Sequence, residues 1–223
     1  MSIEDLSPAT LAAQSIDLEF SGVFFQPYCN SIDSECIVTH VAKSLSTYDQ
    51  RRETVINSAI AVFAKAGYLG TPIAAVAKHA KISPAYVFKL FPRKEELFVA
   101  ALEHAFEQIH SALDNSFNAS ADQTPDDILF AMGGAYAALI ANRSLLMIQV
   151  HALSVADVPE IGAAFRKGLR KVAEFVKVSS GASDEAVQRF FAYGQLCHLI
   201  ATTYLDGNSA AWARMLTKGI RHY

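Results

Sequence analysis

The sequence is poor in cysteine, and its three cysteines do not form a recognisable pattern. Cys29, Cys36 and Cys197 are too few and too scattered for a disulfide framework. The first two are not spaced with His40 as zinc ligands are, and the seven histidines show no ligand spacing elsewhere. We therefore expect reduced thiols and no metal site.

Motifs of enzymes and of membrane segments are missing as well. The sequence has no glycine-rich phosphate loop, no Gly-x-Ser-x-Gly and no His-Glu-x-x-His, which leaves an enzyme as the minor alternative and predicts no cofactor. Its start shows no basic-then-apolar secretory signal, and no run approaches the roughly 18 apolar residues of a membrane span. We expect a cytoplasmic protein that does not enter a membrane.

Strand-like alternation does not persist anywhere in the 223 residues, whereas apolar residues recur at helical spacing over most of the chain. This pattern predicts an all-α fold. Residues 1–47 are the exception, because they mix prolines and serines with one lysine and six acids. We expect a loosely ordered extension with at most one short helix over 8–19, either dispensable or a weak acidic competitor for a basic surface.

Residues 71–94 carry the most informative local pattern. Thr71-Pro72 and Ser83-Pro84 each join a capping hydroxyl to a proline suited to the first helical turn, so a helix is predicted to begin at each pair. Pro92 should then end the second helix and begin a third.

Two short helices joined by a turn over 81–83 have the anatomy of a helix-turn-helix motif, whose second helix enters the major groove of DNA. A plain αα-corner in a helical enzyme would show the same spacing. The charges favour DNA, because the segment contains no acidic residue and phosphate neutralisation needs a basic surface. Its basic side chains are Lys78, Lys81, Lys89, Arg93 and Lys94.

The remaining periodicity predicts a first helix over 48–66, ended by Gly67 in the left-handed conformation, and a long helix from Pro92 to about Phe117. Because this long helix leaves the DNA-binding unit and enters the next one, it should couple them mechanically. Later helices are predicted over 125–142, 144–155, 159–179, 184–205 and 208–220. The predicted division is an extension over 1–47, a DNA-binding domain over 48–95 and a ligand-sensing and dimerisation domain over 96–223.

One set of positions follows the helix that ends in Phe63-Ala64-Lys65-Ala66-Gly67. It consists of Gly70-Thr71, Val76-Ala77, Ala80-Lys81-Ile82-Ser83, Phe91, Lys94 and Leu97. This pattern, over about residues 48–100, resembles the N-terminal domain of the TetR/AcrR family of bacterial transcriptional repressors.

The resemblance implies a three-helix helix-turn-helix domain joined by a long fourth helix to a C-terminal helical bundle. It also implies a homodimer that binds a palindromic operator and is released by a small molecule. Carried over by position, base edges would be contacted by Pro84, Ala85 and Tyr86, and phosphates by Thr71, Lys89 and Lys94. Ser83 and Arg93 complete the predicted DNA-binding set.

Three positions depart from the family pattern. Lys81 stands where the family usually has glycine, Phe88 where it has tyrosine, and Leu90 where it often has histidine. Because Phe88 has no hydroxyl for a phosphate, phosphate contacts should shift to the neighbouring basic residues or to Tyr86. Tyr86 is predicted to reach into the groove, whereas Val87 and Phe88 better fit the inner face of the helix.

The predicted helix over 184–205 becomes apolar on nearly every side after Arg189. One domain core covers only one stripe of a helix, so a second surface must bury the rest. The simplest candidate is a partner subunit, in a four-helix interface through residues 184–220 that buries Leu196 and Ile200. The alternative is a central helix of a monomer.

Aromatic, sulfur-containing and imidazole side chains fall on the helices that would enclose the C-terminal core. Most such residues are ordinary packing, yet together they predict a cavity for a mostly apolar effector. Gly133 and Gly134 in mid-helix cost about 1 kcal/mol each, so they should make room for a ligand or a close helix crossing. The predicted ligand-binding residues are Phe130, Tyr136, Met147, His151, Phe165, Tyr193 and Cys197.

The expected function is therefore a ligand-responsive transcriptional regulator, a repressor, whose partners are double-stranded operator DNA, a small-molecule effector and a second copy of the chain. The alternative is a ligand-sensing or scaffold helical protein that has lost sequence-specific DNA binding. Phe88 and Leu90 are the residues that favour this alternative.

Overall fold

The computed structural model describes residues 47–117 and 123–220, and these contain nine α-helices, one 3-10 helix and no β-strand. The extension predicted for 1–47, with its short helix, lies outside the described residues except for its last one. Among the described helices, none alone is long and apolar enough to cross a membrane. Of the described residues, only the helix pair Pro125–Ile140 and Arg143–Leu153, bent by 95° at the break between them, together reaches that length and hydropathy.

The helices follow one another with short connections. The first four are α1 (Thr47–Gly70), α2 (Ile73–His79), α3 (Pro84–Leu90) and α4 (Lys94–Asp114). The next five are α5 (Pro125–Ile140), α6 (Arg143–Leu153), α7 (Pro159–Ser180), α8 (Asp184–Thr203) and α9 (Ala211–Thr217), with the 3-10 helix Leu205–Gly207 before α9.

The all-α prediction is confirmed, and the helix starts predicted at Pro84, Pro125, Pro159 and Asp184 are correct. The long helix differs, because it begins at Lys94 and not at Pro92 and ends at residue 114. The helix predicted over 184–205 ends at Thr203, and Leu205–Gly207 form a separate 3-10 helix. The last helix, predicted over 208–220, spans only Ala211–Thr217.

Capping decides where α2 and α3 begin. The Ser83 hydroxyl accepts a hydrogen bond from the Tyr86 amide at 3.2 Å, as predicted for a cap. The cap predicted at Thr71 is wrong, because Pro72 itself occupies the extended N-cap position and Thr71 lies one residue too early. The Thr71 side chain is 1% exposed, and its hydroxyl has no hydrogen-bond partner among the described residues. In this conformation it cannot contact a phosphate.

Gly67 interrupts α1 with φ 71° and ψ 179°. The predicted positive φ is confirmed, although ψ is extended and a last helical turn continues to Gly70. A β-carbon at Gly67 would lie 3.0 Å from Nδ1 of His151 on α6. Glycine is therefore required here by the backbone conformation and by the close approach of α6.

Lys81, in the turn between α2 and α3, has φ 57°. A side chain in the left-handed region costs about 1–2 kcal/mol, which explains in physical terms why glycine suits this turn.

We expect Lys81→Gly to stabilise the fold by about 0.5–1 kcal/mol, because glycine's own entropy cost of about 0.5–1 kcal/mol offsets part of the relieved strain. The midpoint of thermal unfolding should rise by roughly 1–4 °C. Lys81→Ala removes the same charge but keeps the strain, so it should not raise the midpoint. Identical midpoints for the two variants would contradict this explanation.

One hydrophobic core runs through α1 to α7 without a break. At its N-terminal end, the Phe98 ring of α4 makes edge contacts with Phe63 at 4.9 Å and Tyr68 at 5.4 Å between centroids. Further along α4, Phe106 meets Phe165 of α7 at 5.4 Å. The boundary predicted between residues 95 and 96 falls in the first turn of α4, and the division into domains stays a prediction.

Candidate DNA-binding surface and ligand cavity

Helix α3 presents one side to solvent. Four of its residues recur at helical spacing, so they lie on this side and are exposed: Pro84, Ala85, Phe88 and Lys89. Val87 lies on the opposite side and is fully buried. The inward position predicted for Phe88 is therefore wrong, since its side chain is 48% exposed.

Tyr86 and Phe88 thus differ from what the sequence predicted. Tyr86 is half-buried, and its ring packs against the core. Phe88 is the large exposed aromatic group of α3 and is absent from the predicted DNA-binding set. Phe88 follows Pro84 by four residues, which places both on the same side of a helix. This spacing could have identified Phe88 as a residue of the exposed side.

Three lysines supply unpaired positive charge around α3. Lys78, Lys81 and Lys89 are exposed, and none of them forms an ion pair with another residue that the structure describes. Arg52 of α1 adds a fourth cation, because its guanidinium lies 4.8 Å from the centroid of the Phe91 ring, just after α3. Arg52 was missed because its contact is distant in sequence.

Arg93 lies at the N-cap of α4 and is already paired. Its guanidinium donates to Glu96 at 2.8 Å and to Glu160 of α7 at 3.2 Å. A phosphate would have to compete with two carboxylates for this charge. The exposed pairs are weak, so the competition is possible but reduces the contribution of Arg93.

Lys94 is also held locally. Its Nζ donates to the Leu69 carbonyl oxygen at 3.4 Å and lies 4.8 Å from the centroid of the Tyr68 ring. Partial burial lowers the pKa of this ammonium. The Tyr68 hydroxyl donates to Glu95 at 2.5 Å, and burial followed by this bond raises the pKa of Tyr68 to about 12. The contacts of Lys94 with Leu69 and Tyr68 therefore join the start of α4 to the end of α1.

The C-terminal part contains two adjoining chambers. The outer chamber has a volume of about 440 Å³ and the inner chamber about 100 Å³. They share the lining residues Gly133, Phe190, Tyr193 and Cys197. The charged residues of the outer chamber are Asp126, Arg189 and Lys218, whereas the residues that line the inner chamber are all uncharged.

The two glycines of α5 open the outer chamber. A β-carbon at Gly134 would meet no atom within 4 Å, and one at Gly133 would meet only Phe190 at 3.9 Å. Of the two alternatives predicted for these glycines, the empty space beside them favours room for a ligand over a close helix crossing. A close crossing occurs instead at Gly168 of α7, where a β-carbon would lie 2.2 Å from the Phe106 ring.

Five of the seven predicted ligand-binding residues line a chamber. Phe130 lines the outer one, Tyr136 and Phe165 the inner one, and Tyr193 and Cys197 both. Met147 and His151 line neither chamber, so the structure does not bring them together with the other five. His151 faces α1, where its Nε2 lies 3.3 Å from the Ala64 carbonyl oxygen.

A buried polar cluster borders the inner chamber. The Tyr136 hydroxyl lies 3.2 Å from Gln149 Oε1 and is hydrogen-bonded to His198 Nε2. Burial lowers the pKa of His198 to about 4 and raises that of Tyr136, so both are neutral at pH 7. The predicted ligand-binding set lacks Gln149 and His198. An amide and an imidazole within otherwise apolar helices could have indicated a buried polar cluster.

Several large apolar side chains of α8 and α9 are exposed to solvent. Leu199 is 49%, Trp212 53% and Met215 70% exposed. Ile200, predicted to lie in a dimer interface, is fully buried in its own chain against Leu205 and Ala213. The helical pattern located the apolar helix but did not distinguish its inner side from its outer side.

Residues 47–117 and 123–220 contain no group of three His, Cys, Asp or Glu side chains that could hold a metal ion. Cys29, Cys36 and His40 lie outside these ranges. Cys197 is a buried free thiol, and its burial raises its pKa.

Comparison with known proteins gives three findings. Residues 55–101 match the family model of bacterial regulatory proteins, tetR family. The HTH-type transcriptional repressor KstR of Mycolicibacterium smegmatis is 29% identical over 164 residues, which cover 73% of this chain and 76% of that protein. KstR of Mycobacterium tuberculosis is 31% identical over 109 residues, 48% of this chain and about half (49%) of that protein.

A solved structure resembles the fold over most of its length. The transcriptional regulator FadR from Bacillus subtilis, in complex with stearoyl-CoA, superposes with a TM-score of 0.58. It covers 76% of this chain and 99% of its own, with 16% identical residues.

Proposed function

Because the chain belongs to the tetR family of bacterial regulatory proteins, we propose that this transcriptional regulator is a repressor released from its operator by a small apolar effector. The observation that carries the proposal is the exposed side of α3, which lies among unpaired lysines within residues 55–101. Both KstR relatives are named transcriptional repressors, which supports repression over activation.

We assign base contacts to the first turns of α3, that is to Pro84, Ala85 and Phe88, with Tyr86 at the edge of this surface. An exposed aromatic ring suits the methyl groups of thymine in the major groove. Phosphate contacts are assigned to Lys78, Lys81, Lys89 and Arg52, which have no carboxylate partner among the described residues. Arg93 and Lys94 contribute less, because both have partners within the protein.

Lys89→Ala should weaken binding to operator and unrelated DNA by similar factors, since a phosphate contact carries no sequence information. The slope of log affinity against log salt should fall by about one. The control is Lys171→Ala, which removes a lysine paired with Glu107 at 2.8 Å on the α4–α7 side. A loss confined to the operator would instead make Lys89 a base-reading residue.

A palindromic operator requires two copies of α3, so the proposed regulator is a homodimer. The exposed apolar surface of α8 and α9 is the interface we assign, because a surface of this kind is otherwise costly in water. The two chambers are the proposed effector site, and their apolar lining sets the effector class. The similarly folded FadR is in complex with stearoyl-CoA, which supports a ligand role for this fold.

Selection from a random pool of duplex DNA tests the DNA-binding part directly. The protein should enrich an inverted repeat whose half-sites lie about one helical turn apart. Enrichment of no sequence, with only weak salt-dependent binding, would support the alternative of a helical sensor that has lost operator recognition. Phe88→Ala should lower affinity for the selected site more than for random DNA.

A further inference from the structure

The polar cluster of the inner chamber joins three helices. Tyr136 belongs to α5, Gln149 to α6 and His198 to α8, and Tyr136 and Gln149 line the inner chamber. The other polar side chains of that lining, Tyr193 and Gln195, are exposed to solvent, so apart from the Cys197 thiol a ligand in this chamber meets its buried polar contacts at Tyr136 and Gln149.

The direction of each hydrogen bond in the cluster follows from the Gln149 amide. Its Nε2 donates to the Leu145 carbonyl oxygen at 2.8 Å, which fixes Oε1 as the atom that faces Tyr136. The single Tyr136 hydroxyl hydrogen must then be donated to Oε1. His198 Nε2 must therefore carry the hydrogen and donate it to the Tyr136 oxygen.

This arrangement leaves unused bonding capacity. Nδ1 of His198 is an unprotonated acceptor, buried and without a partner among the described residues. Gln149 keeps one free lone pair on Oε1 and one free hydrogen on Nε2, and the Tyr136 oxygen keeps acceptor capacity. Because Tyr136 and Gln149 line the chamber, this pair offers a ligand chiefly acceptors, together with the single spare donor of Gln149.

A ligand group must match this set without a charge. A hydroxyl both donates and accepts, so it can satisfy Oε1 and the spare Nε2 hydrogen of Gln149. An ether or a ketone only accepts, so it can use the Nε2 hydrogen but leaves the second lone pair of Oε1 without a donor. A carboxylate would face oxygen lone pairs in a chamber that no charged side chain lines.

On these grounds we infer that the inner chamber binds a neutral apolar compound through a hydroxyl group, an alcohol or a phenol, held by Gln149 beside Tyr136. This inference rests on the proposed function, in which the chambers are the effector site. It adds the chemical class of the effector and the residue that selects it.

Three probes of one shape test the inference on the full chain by calorimetry: para-hexylphenol, its methyl ether and para-hexylbenzoate. We expect the phenol to bind about 10-fold more tightly than the ether, the factor typical of one buried hydrogen bond. The benzoate should bind more weakly than the phenol. Equal affinities of phenol and ether, or tighter binding of the benzoate, would overturn the inference.

Two matched variants locate the selecting residue. Gln149→Leu removes the proposed partner, and the Tyr136 hydroxyl hydrogen can then be donated to His198 Nε2, so the phenol-to-ether ratio should fall to about one. Gln195→Leu makes the same chemical change at another residue of the inner chamber, and the ratio should stay near 10-fold. A ratio kept in the first variant and lost in the second would overturn the role of Gln149.

The wild-type ratio requires no variant, so it decides the ligand class even if Gln149→Leu unfolds. Failure of all three probes to bind would overturn the inference together with the proposed effector site. Enrichment of an operator from random DNA does not depend on any ligand. The DNA-binding part of the proposed function is therefore tested separately.

Discussion

Replacing Leu199 with glutamate should convert the protein into a monomer and abolish tight operator binding. The leucine is 49% exposed and lies on the proposed interface with Trp212 and Met215. In a two-fold dimer, each copy would bury one uncompensated carboxylate. Burying an unpaired charge costs about 3–5 kcal/mol, which weakens dimerisation by at least roughly 100-fold. A single half-site then provides too few contacts for specific binding.

Light scattering at micromolar concentration and gel shift on the selected operator measure the two effects. Val178→Glu is the matched control, because Val178 is 81% exposed on α7 and lies outside the proposed interface. It should leave both the mass and the affinity unchanged. Ile200→Glu is unsuitable, since it would put a charge into the chain's own core and unfold it. A monomeric wild-type protein that still binds an operator would contradict the dimer.

Bound operator should weaken the binding of an apolar ligand in the chambers by about 5- to 150-fold, and the ligand should weaken operator binding by the same factor. The equality follows from thermodynamic linkage. N-phenylnaphthylamine, a dye that fluoresces in apolar cavities, can report the affinity with and without the selected DNA. Unrelated DNA of the same length is the control.

Two helices connect the chambers to the DNA-binding surface. Phe106, Ile109 and Leu113 of α4 line the inner chamber, and Phe98 near the start of the same helix packs on α1. Helix α6 contributes Gln149 to the chamber and, two residues later, His151 to the close contact with Gly67. In the proposed dimer, a ligand that moves either helix would change the separation of the two copies of α3.

Gly134→Leu provides a check on where the dye binds. The added side chain would enter the outer chamber, where no atom lies within 4 Å of the β-carbon position. Dye affinity should fall while operator binding persists. Ala138→Leu places the same side chain at an exposed position of α5 and should change neither. Equal dye affinity with and without operator would show that the cavity does not regulate DNA binding.

Local chemistry made much of the fold predictable from sequence. Proline and hydroxyl caps located the starts of α3, α5, α7 and α8 because these signals act within four residues. Gly67 was recognised because a positive φ is a property of the single residue. Thr71 shows the limit, since a one-residue shift moved the cap to Pro72 and buried the hydroxyl.

The candidate site was less predictable because its properties depend on contacts between distant segments. The pairing of Arg93 with Glu160 spans 67 residues, and no local pattern indicates it. His151 was placed in the cavity by its type, yet the side of α6 it occupies faces α1. Ile200 and Leu199 are adjacent apolar residues, and only the packing of α9 decides which of them is exposed.

The unbroken core through α1 to α7 limits how such a protein can diversify. An exchange that joined residues 48–95 of this chain to the remainder of a relative would separate Phe63 and Tyr68 from Phe98, and Gly67 from His151. The recipient would have to supply side chains that fit these same gaps. New combinations of operator and effector are therefore expected to arise by point substitution on the exposed side of α3 and in the chamber walls, more readily than by shuffling whole segments.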